Sequence, residues 1–253
     1  MEPLERLRSL VEERELGPDV IDARRREIHR RVLEGSAHLD GADFTRISPR
    51  DLEAVFDAID EGFFEGLLRE QEPRARLRFR LSPRMTSVGG KTTAWRLRGS
   101  EQRHYEIAVS TTLLLDTFEA PSREVSVVGL PCPDRLSALQ GIVEHELVHL
   151  VEMWLWERSS CAKPRFQGIA RRLLGHTDHR HRLVTPRERA TQQLGLAVGQ
   201  RVAFDFEGKH QVGVVNRITR RATVLVESRR GQPYSDGKRY LKFYVPLEAL
   251  KAV

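Results

Sequence analysis

The chain has 253 residues, of which 40% are hydrophobic and 31% charged, a composition typical of a folded globular protein. Its apolar runs are all shorter than the roughly 20 residues that a membrane-spanning helix needs, which excludes such a helix. The two cysteines are too few for a disulfide framework or a four-cysteine zinc ribbon, so any metal site must depend largely on histidine.

The net charge of +6 comes almost entirely from arginine, a residue suited to bidentate phosphate contacts. This charge predicts nucleic acid as a partner, and the alternative is an arginine-rich solvated surface without a ligand. Residues 1–17 mix acidic and basic side chains without an apolar stretch, unlike a signal or transit peptide. We therefore expect a cytoplasmic protein that does not contact membranes, and a nucleoid-associated one if it depends on DNA.

Residues 1–70 are predicted to be helical, because apolar residues recur at three- and four-residue spacing in three segments. The third segment follows Ser48-Pro49, a typical helix start. The second segment carries a block of arginines that could contact phosphate, although charge runs on a helix usually form its solvated face. This block consists of Arg24, Arg25, Arg26, Arg30 and Arg31.

The apolar period changes to two from Arg74, and residues 75–82, 92–99 and 104–110 are predicted to form an antiparallel meander. The sequence at Gly90 resembles the end of a phosphate-binding loop, but Met85 stands where that motif requires glycine, so we expect a hairpin turn.

After a loop that contains Pro121, two helices are predicted, one over 135–156 and a second that ends at Gly175. From Val198 onward, short alternating segments separated by tight turns predict a small closed barrel of the SH3-like kind. The predicted fold class is α+β, divided into a helical N-terminal segment, a central domain and the barrel. The three parts span residues 1–48, 49–194 and 195–253.

The predicted helix over 135–156 contains His145, Glu146 and His149 in the H-E-x-x-H spacing. Residues four apart share a helix face, so both imidazoles can bind one zinc ion while Glu146 acts as the general base for an attacking water. The alternative is a chance motif with two ordinary core histidines. Because the flanking residues are apolar, two histidines and a glutamate are costly there unless they are used, and we favour the metal site.

Several motifs around this helix, in the same order, resemble the SprT-like (Spartan-type) metallopeptidases, a family with a member that degrades proteins covalently trapped on DNA. The similar segments are residues 84–95, 105–114, 144–152 and 164–177, and the resemblance covers about residues 50–185. It implies a mini-zincin metallopeptidase fold for residues 49–194, zinc-dependent endopeptidase activity and dependence on DNA.

One family feature is missing. The family's third histidine ligand usually stands four residues before an aromatic residue and is followed by glycine. Phe166 matches the aromatic residue, which places Ala162 at the ligand position and Lys163 at the glycine. Cys161 is one residue away, and thiolate binds zinc well, so His145, His149 and Cys161 are the first choice of ligands. The alternative is that Cys161 is an ordinary buried thiol.

Two downstream histidines, His176 and His181, compete with Cys161 for the role of third ligand. They could instead bind substrate, stabilise the developing oxyanion or cap a helix end. Glu152 could orient a metal ligand or remain an exposed charge.

The predicted barrel stands where the family often carries a zinc ribbon, and its turns are rich in basic residues that could bind nucleic acid. These residues are Lys209, Arg217, Arg220, Arg221, Arg229, Arg230, Lys238 and Arg239. The sequence thus predicts a zinc-dependent endopeptidase that acts on proteins bound or crosslinked to DNA. Single-stranded and duplex DNA are both open alternatives for this partner. The alternatives are a catalytically silent DNA-binding scaffold with a degenerate zincin domain and a zinc peptidase unrelated to DNA.

Overall fold

A computed structural model of the chain describes residues 2–71, 76–119 and 123–253. It contains both helices and sheets, which confirms the predicted α+β class. Its contacts divide it into two compact units, Met1–Leu183 and Val184–Val253. Residues 74–75, the predicted beginning of a strand, and Pro121, in a predicted loop, lie outside the described residues. No helix in the described ranges is long and apolar enough to cross a membrane.

The first unit opens with helices, as predicted, but the third predicted segment is divided by a π-helical turn, which gives four α-helices. They are α1 (Pro3–Glu13), α2 (Pro18–Gly35), α3 (Pro49–Ile59), which continues into a π-helical turn (Asp60–Phe64), and α4 (Leu67–Gln71). Helix α3 begins with a capping box, since the Ser48 hydroxyl accepts a hydrogen bond from the backbone N–H of Asp51 and the Asp51 carboxylate accepts one from the backbone N–H of Ser48. The apolar faces of these helices join the single core of the unit.

The first unit has two three-stranded sheets, and the one formed by its first three strands differs from the predicted meander. Its strands are β1 (Arg76–Ser82), β2 (Gly90–Arg96) and β3 (Arg103–Ser110), in the order β1-β3-β2. Strand β3 pairs in parallel with β1 and antiparallel with β2. The prediction of consecutive hairpins was wrong because β3 is buried over its last six residues, which suits a central strand, whereas β1 and β2 alternate in burial.

Helix α6 lies in the middle of the first unit's core. The remaining elements of this unit are α5 (Thr111–Thr117), β4 (Ser126–Val127), β5 (Leu130–Pro131), α6 (Arg135–Trp156), α7 (Pro164–Leu174) and β6 (His181–Arg182). The Asp134 side chain caps α6 by accepting a hydrogen bond from Ser137 N at 2.7 Å. Helix α7 ends at Gly175, which has a left-handed backbone with φ 62°, as predicted.

The second unit consists of a short helix and one five-stranded sheet. Its elements are α8 (Pro186–Leu194), β7 (Arg201–Phe206), β8 (Lys209–Ile218), β9 (Arg221–Pro233), β10 (Arg239–Pro246), a 3-10 turn (Leu247–Ala249) and β11 (Lys251–Ala252). The strand order is β10-β9-β8-β7-β11. The predicted barrel closure is not found within residues 184–253, because β11 has two residues and pairs only with β7.

The two units meet in sequence eleven residues before the predicted boundary at 195. The contacts place the division between Leu183 and Val184. Helix α8 belongs to the second unit because Ala190 and Leu196 are buried in that unit's core.

Candidate metal centre

Helix α6 brings the two predicted histidine ligands together. The Nε2 atoms of His145 and His149 are 3.2 Å apart. Zinc binds imidazole nitrogen at about 2.0–2.1 Å with tetrahedral geometry, which places two such ligands roughly 3.3 Å from each other. Burial lowers the pKa of His149 to about 4 and that of His145 still further, so both rings are neutral near pH 7. Neutral imidazole is the form that binds a metal ion.

The ring of His149 is held by a chain of hydrogen bonds from the segment that follows α6. His149 Nδ1 lies 2.6 Å from Ser159 Oγ, and Ser159 Oγ donates to Glu152 Oε2 at 2.7 Å. Because the serine proton goes to the carboxylate, Ser159 Oγ must accept from Nδ1–H, which leaves the Nε2 lone pair of His149 free for a metal. Arg165 Nε donates to Glu152 Oε1 at 2.7 Å and neutralises that buried carboxylate.

The residues around His145 offer two possible third ligands. One group combines His145 and His149 with Cys161, and a second combines His145 with Glu146 and His181; in each, the ligand atoms lie within 4.8 Å of one another. Burial raises the pKa of the Cys161 thiol. His181 Nε2 is buried, and no described residue donates to it or accepts from it. Both alternatives that the sequence left open therefore remain at this site.

His176, the other predicted candidate, lies outside both groups. Its Nε2 is 3.0 Å from Glu144 Oε2, and the ring is almost completely buried. Arg25 of α2 binds the same carboxylate through two nitrogens and also donates to the carbonyl of Leu174. Burial raises the pKa of Glu144, but the charge of Arg25 and the hydrogen bonds from His176 and Arg25 outweigh it and lower that pKa to about 2. His176 thus belongs to a buried ion-pair network behind α6.

Other members of the arginine block on α2 also have protein partners. Arg24 donates to the carbonyl of Gly62, and Arg31 binds Glu61. Arg30 binds two glutamates of its own helix. These contacts favour the interpretation of the block as a structural and solvated face.

Glu146, the predicted general base, is held by strand β2. Thr92 Oγ1 donates to Glu146 Oε2 at 2.7 Å and also lies 3.0 Å from the Glu146 carbonyl. Burial raises the pKa of Glu146 to about 7 against the opposing effect of these hydrogen bonds. A Cβ atom at Gly90 would lie 2.6 Å from Glu146 Oε1, so only glycine fits there.

Sequence reasoning missed the roles of Gly90 and Thr92. It placed Gly90 in a hairpin turn and Thr92 at the start of a strand over 92–99, and it gave neither residue a role at the site, whereas both belong to β2. The signal that could have found them is the alternation that begins at Gly90, which places Gly90 and Thr92 on the same buried face of the strand.

A cavity of about 590 Å³ opens onto these groups. Its walls include residues 87–92 of β2 and the preceding turn, the three residues of the H-E-x-x-H motif, Ser159, Cys161 and residues 179–181. It contains every predicted site residue except His176. Two facing imidazoles, an adjacent thiol or third imidazole and a buried carboxylate have the donor chemistry that zinc prefers.

Comparisons with protein-family models, with curated proteins and with solved structures found no match for this chain.

Proposed function

We propose that the chain is a zinc-dependent endopeptidase with a zincin-like catalytic unit that acts on proteins bound to DNA. The observation that carries this proposal is the pair of His145 and His149 Nε2 atoms, 3.2 Å apart and beside the buried carboxylate of Glu146 in an open cavity. Two buried imidazoles that face each other beside a buried carboxylate are costly without a ligand, and a shared metal ion accounts for this arrangement.

His145, His149 and Cys161 would hold the zinc ion, since their ligand atoms lie within 4.8 Å of one another. His181, which is grouped with His145 and Glu146 and not with His149, is the competing ligand. When bound, zinc supplies Lewis-acid polarisation of a peptide carbonyl and lowers the pKa of water to about 7. Thr92 holds one oxygen of Glu146, and the carboxylate can accept the proton of the attacking water and pass it to the leaving amine.

Strand β2 can bind the peptide substrate through its free edge. Within the part of the chain that the structure describes, β2 pairs only with β3, and residues 87–92 line the cavity. An extended peptide can add to such an edge by backbone hydrogen bonds, which are largely independent of side-chain identity. The scissile bond would then lie in the same cavity as Glu146.

The distribution of charge supports the DNA partner. Residues 184–253 contain 13 Lys and Arg against six Asp and Glu, a formal charge of +7. Residues 1–183 contain 29 Lys and Arg against 30 Asp and Glu, a formal charge of −1. The whole positive excess of the chain therefore lies in the second unit, which favours a dedicated polyanion-binding module over a generally basic composition.

Cleavage of a protein crosslinked to DNA tests this proposal with Glu146→Gln as the decisive variant. We expect that variant to bind zinc as the wild type does but to lose cleavage by at least about 100-fold, because a positioned general base contributes roughly 10²–10⁴-fold. The exposed Glu101→Gln is the matched control and should cleave normally. Persistent cleavage by Glu146→Gln would contradict the mechanism.

X-ray absorption on the same preparations identifies the third ligand. One sulfur scatterer that disappears only in Cys161→Ala would establish the His-His-Cys set, and His176→Ala should leave the spectrum unchanged. Loss of a nitrogen scatterer only in His181→Ala would transfer the ligand role to that residue. If the wild type binds no zinc and cleaves no protein, the results favour the alternative function of a catalytically silent DNA-binding scaffold.

A further inference from the structure

The sheet of the second unit has a buried face and an outer face, which the strand register defines. Four valines lie on the buried face, namely Val202, Val215, Val224 and Val245. Directly paired residues share a face. One row across the outer face is therefore Tyr244, Thr223 and Arg217. The next row is Lys242, Leu225, Val214 and Arg201.

A β-bulge places Arg217 on this outer face. The register between β8 and β9 shifts between Val215 and Arg217, so that Asn216 is the extra residue. Simple alternation would point Arg217 to the same side as Val215, into the core. The bulge instead directs Arg217 outward and Ile218 inward, and Ile218 is indeed buried while Arg217 is exposed. Bulges that re-aim a side chain are common next to functional sites.

The two rows combine an exposed aromatic ring with three cations, of which Lys242 has its Nζ 5.5 Å from the centre of the Tyr234 ring. Tyr244 is 66% exposed, the largest exposed fraction of any described aromatic side chain. Arg201, Arg217 and Lys242 are exposed, and none of them forms an ion pair with a described residue.

The acidic residues of the outer face lie beyond these two rows. Glu227 is paired opposite Tyr240 and binds Lys238. Asp205 is at the other end of β7 and pairs with His210. The end of the face that carries Tyr244 is therefore basic, whereas the opposite end is locally neutralised.

We propose that this outer face, defined by Tyr244, Lys242, Arg217 and Arg201, binds single-stranded nucleic acid. Tyr244 stacks on an unpaired base, and the three cations contact the phosphates on either side. A sheet face with an exposed ring suits single strands because their bases present free π-faces, whereas in a duplex neighbouring base pairs cover them. The inference rests on the DNA partner of the proposed function and adds its surface and strandedness.

The test is fluorescence anisotropy of the full chain with labelled dT20, rU20 and a 20-base-pair duplex at several salt concentrations. We expect Tyr244→Ala to weaken single-strand binding about tenfold without changing its salt dependence, since stacking carries no charge. Tyr244→Phe should bind normally because it keeps the ring. Lys242→Gln and Arg217→Gln should each weaken binding and reduce the slope of log affinity against log salt by about 0.7.

Arg187→Gln is the matched control for charge. Arg187 is an exposed residue of helix α8 and not of the sheet, so its loss removes the same charge from the unit but not from the proposed surface. It should leave binding nearly unchanged. Circular dichroism at increasing temperature verifies that each variant keeps its fold, which we expect because all the altered side chains are exposed.

Three results would overturn the proposal: an unchanged affinity in Tyr244→Ala, an equal loss in Arg187→Gln and Lys242→Gln, or duplex binding as tight as single-strand binding and equally sensitive to Tyr244→Ala. Preference for dT20 over rU20 supports both the surface and the DNA-bound substrates. Preference for rU20 supports the surface but contradicts the DNA part of the proposed function. Peptidase activity is measured separately, so its absence does not affect the binding result.

Discussion

The two units use charged residues in opposite ways. The first unit is nearly neutral and buries charges in paired networks, such as Arg25 with Glu144 and His176 or Arg165 with Glu152. The second unit carries +7, and its cations are exposed, many without an acidic partner among residues 184–253. Buried charges fix the orientation of neighbouring groups because they must be satisfied, whereas exposed charges mainly attract a mobile partner. The buried charges of the first unit therefore set the geometry of a site, whereas the exposed cations of the second unit provide long-range attraction.

The largest expected effect is the loss of a buried partner. We expect Arg25→Gln to destabilise the first unit by about 3–5 kcal/mol, because it leaves the buried carboxylate of Glu144 without its main counter-charge. Urea unfolding followed by tryptophan fluorescence measures this unit selectively, since all three tryptophans, Trp95, Trp154 and Trp156, belong to it.

The matched change in the second unit is Lys238→Gln, which breaks the exposed pair with Glu227. It should leave the midpoint of unfolding, followed by circular dichroism, unchanged. The double variant Arg25→Leu, Glu144→Leu should be more stable than Arg25→Gln because no buried charge is left alone. Equal effects of Arg25→Gln and Lys238→Gln would remove the distinction between the two units.

A smaller effect is expected for the hydrogen-bond chain behind the metal centre. Ser159→Ala should weaken zinc binding by about 10–100-fold, since His149 Nδ1 loses the partner that orients its ring. Competition with a chromophoric chelator measures the affinity. The neighbouring Ser160→Ala is the control, because that side chain is exposed and should bind zinc as the wild type does. An equal loss in both variants would mean that the loop as a whole, rather than this hydrogen bond, supports the site.

The smallest expected effect concerns the start of α3. Burial acts to raise the pKa of Asp51, but hydrogen bonds from Ser36 and Ser48 outweigh it and hold that pKa below its usual range. A depressed folded-state pKa stabilises the protein above the usual aspartate range, and this stabilisation is lost as the pH falls through the folded-state pKa. Asp51→Asn should therefore cost about 1 kcal/mol at pH 7 and progressively less in acid, as measured by urea unfolding at several pH values.

Helices α6 and α7 could be predicted because their signals are local. The H-E-x-x-H spacing, the apolar period and the stop at Gly175 each depend on residues within one or two helical turns. The same holds for the start of α3 at Ser48, where capping box and proline are adjacent in sequence. Local patterns also predicted the strands of the second unit, although they could not specify whether the ends of the sheet pair with each other.

The features that the sequence did not predict depend on contacts between segments that are distant in the chain. Strand β3 lies in the centre of its sheet, and both of its faces are buried. The alternating residues of β1 and β2 do not predict this central position. Thr92 and Glu146 are 54 residues apart, and their hydrogen bond depends on how β2 packs against α6. The bulge at Asn216 decides which face receives Arg217, and the residues around it follow no pattern that predicts an insertion.

Gly90 brings the backbone of β2 directly against α6, since a Cβ atom there would lie 2.6 Å from Glu146 Oε1. Strand β2 contributes no side chain of its own at this point, and its backbone packs directly on the side chains of Ile142 and Glu146. A movement of β2 is therefore transmitted to Thr92 and to the carboxylate that it holds. The strand edge and the proton-accepting group are mechanically coupled, and slow opening of β2, observed as amide hydrogen exchange, should reorient Glu146 on the same timescale.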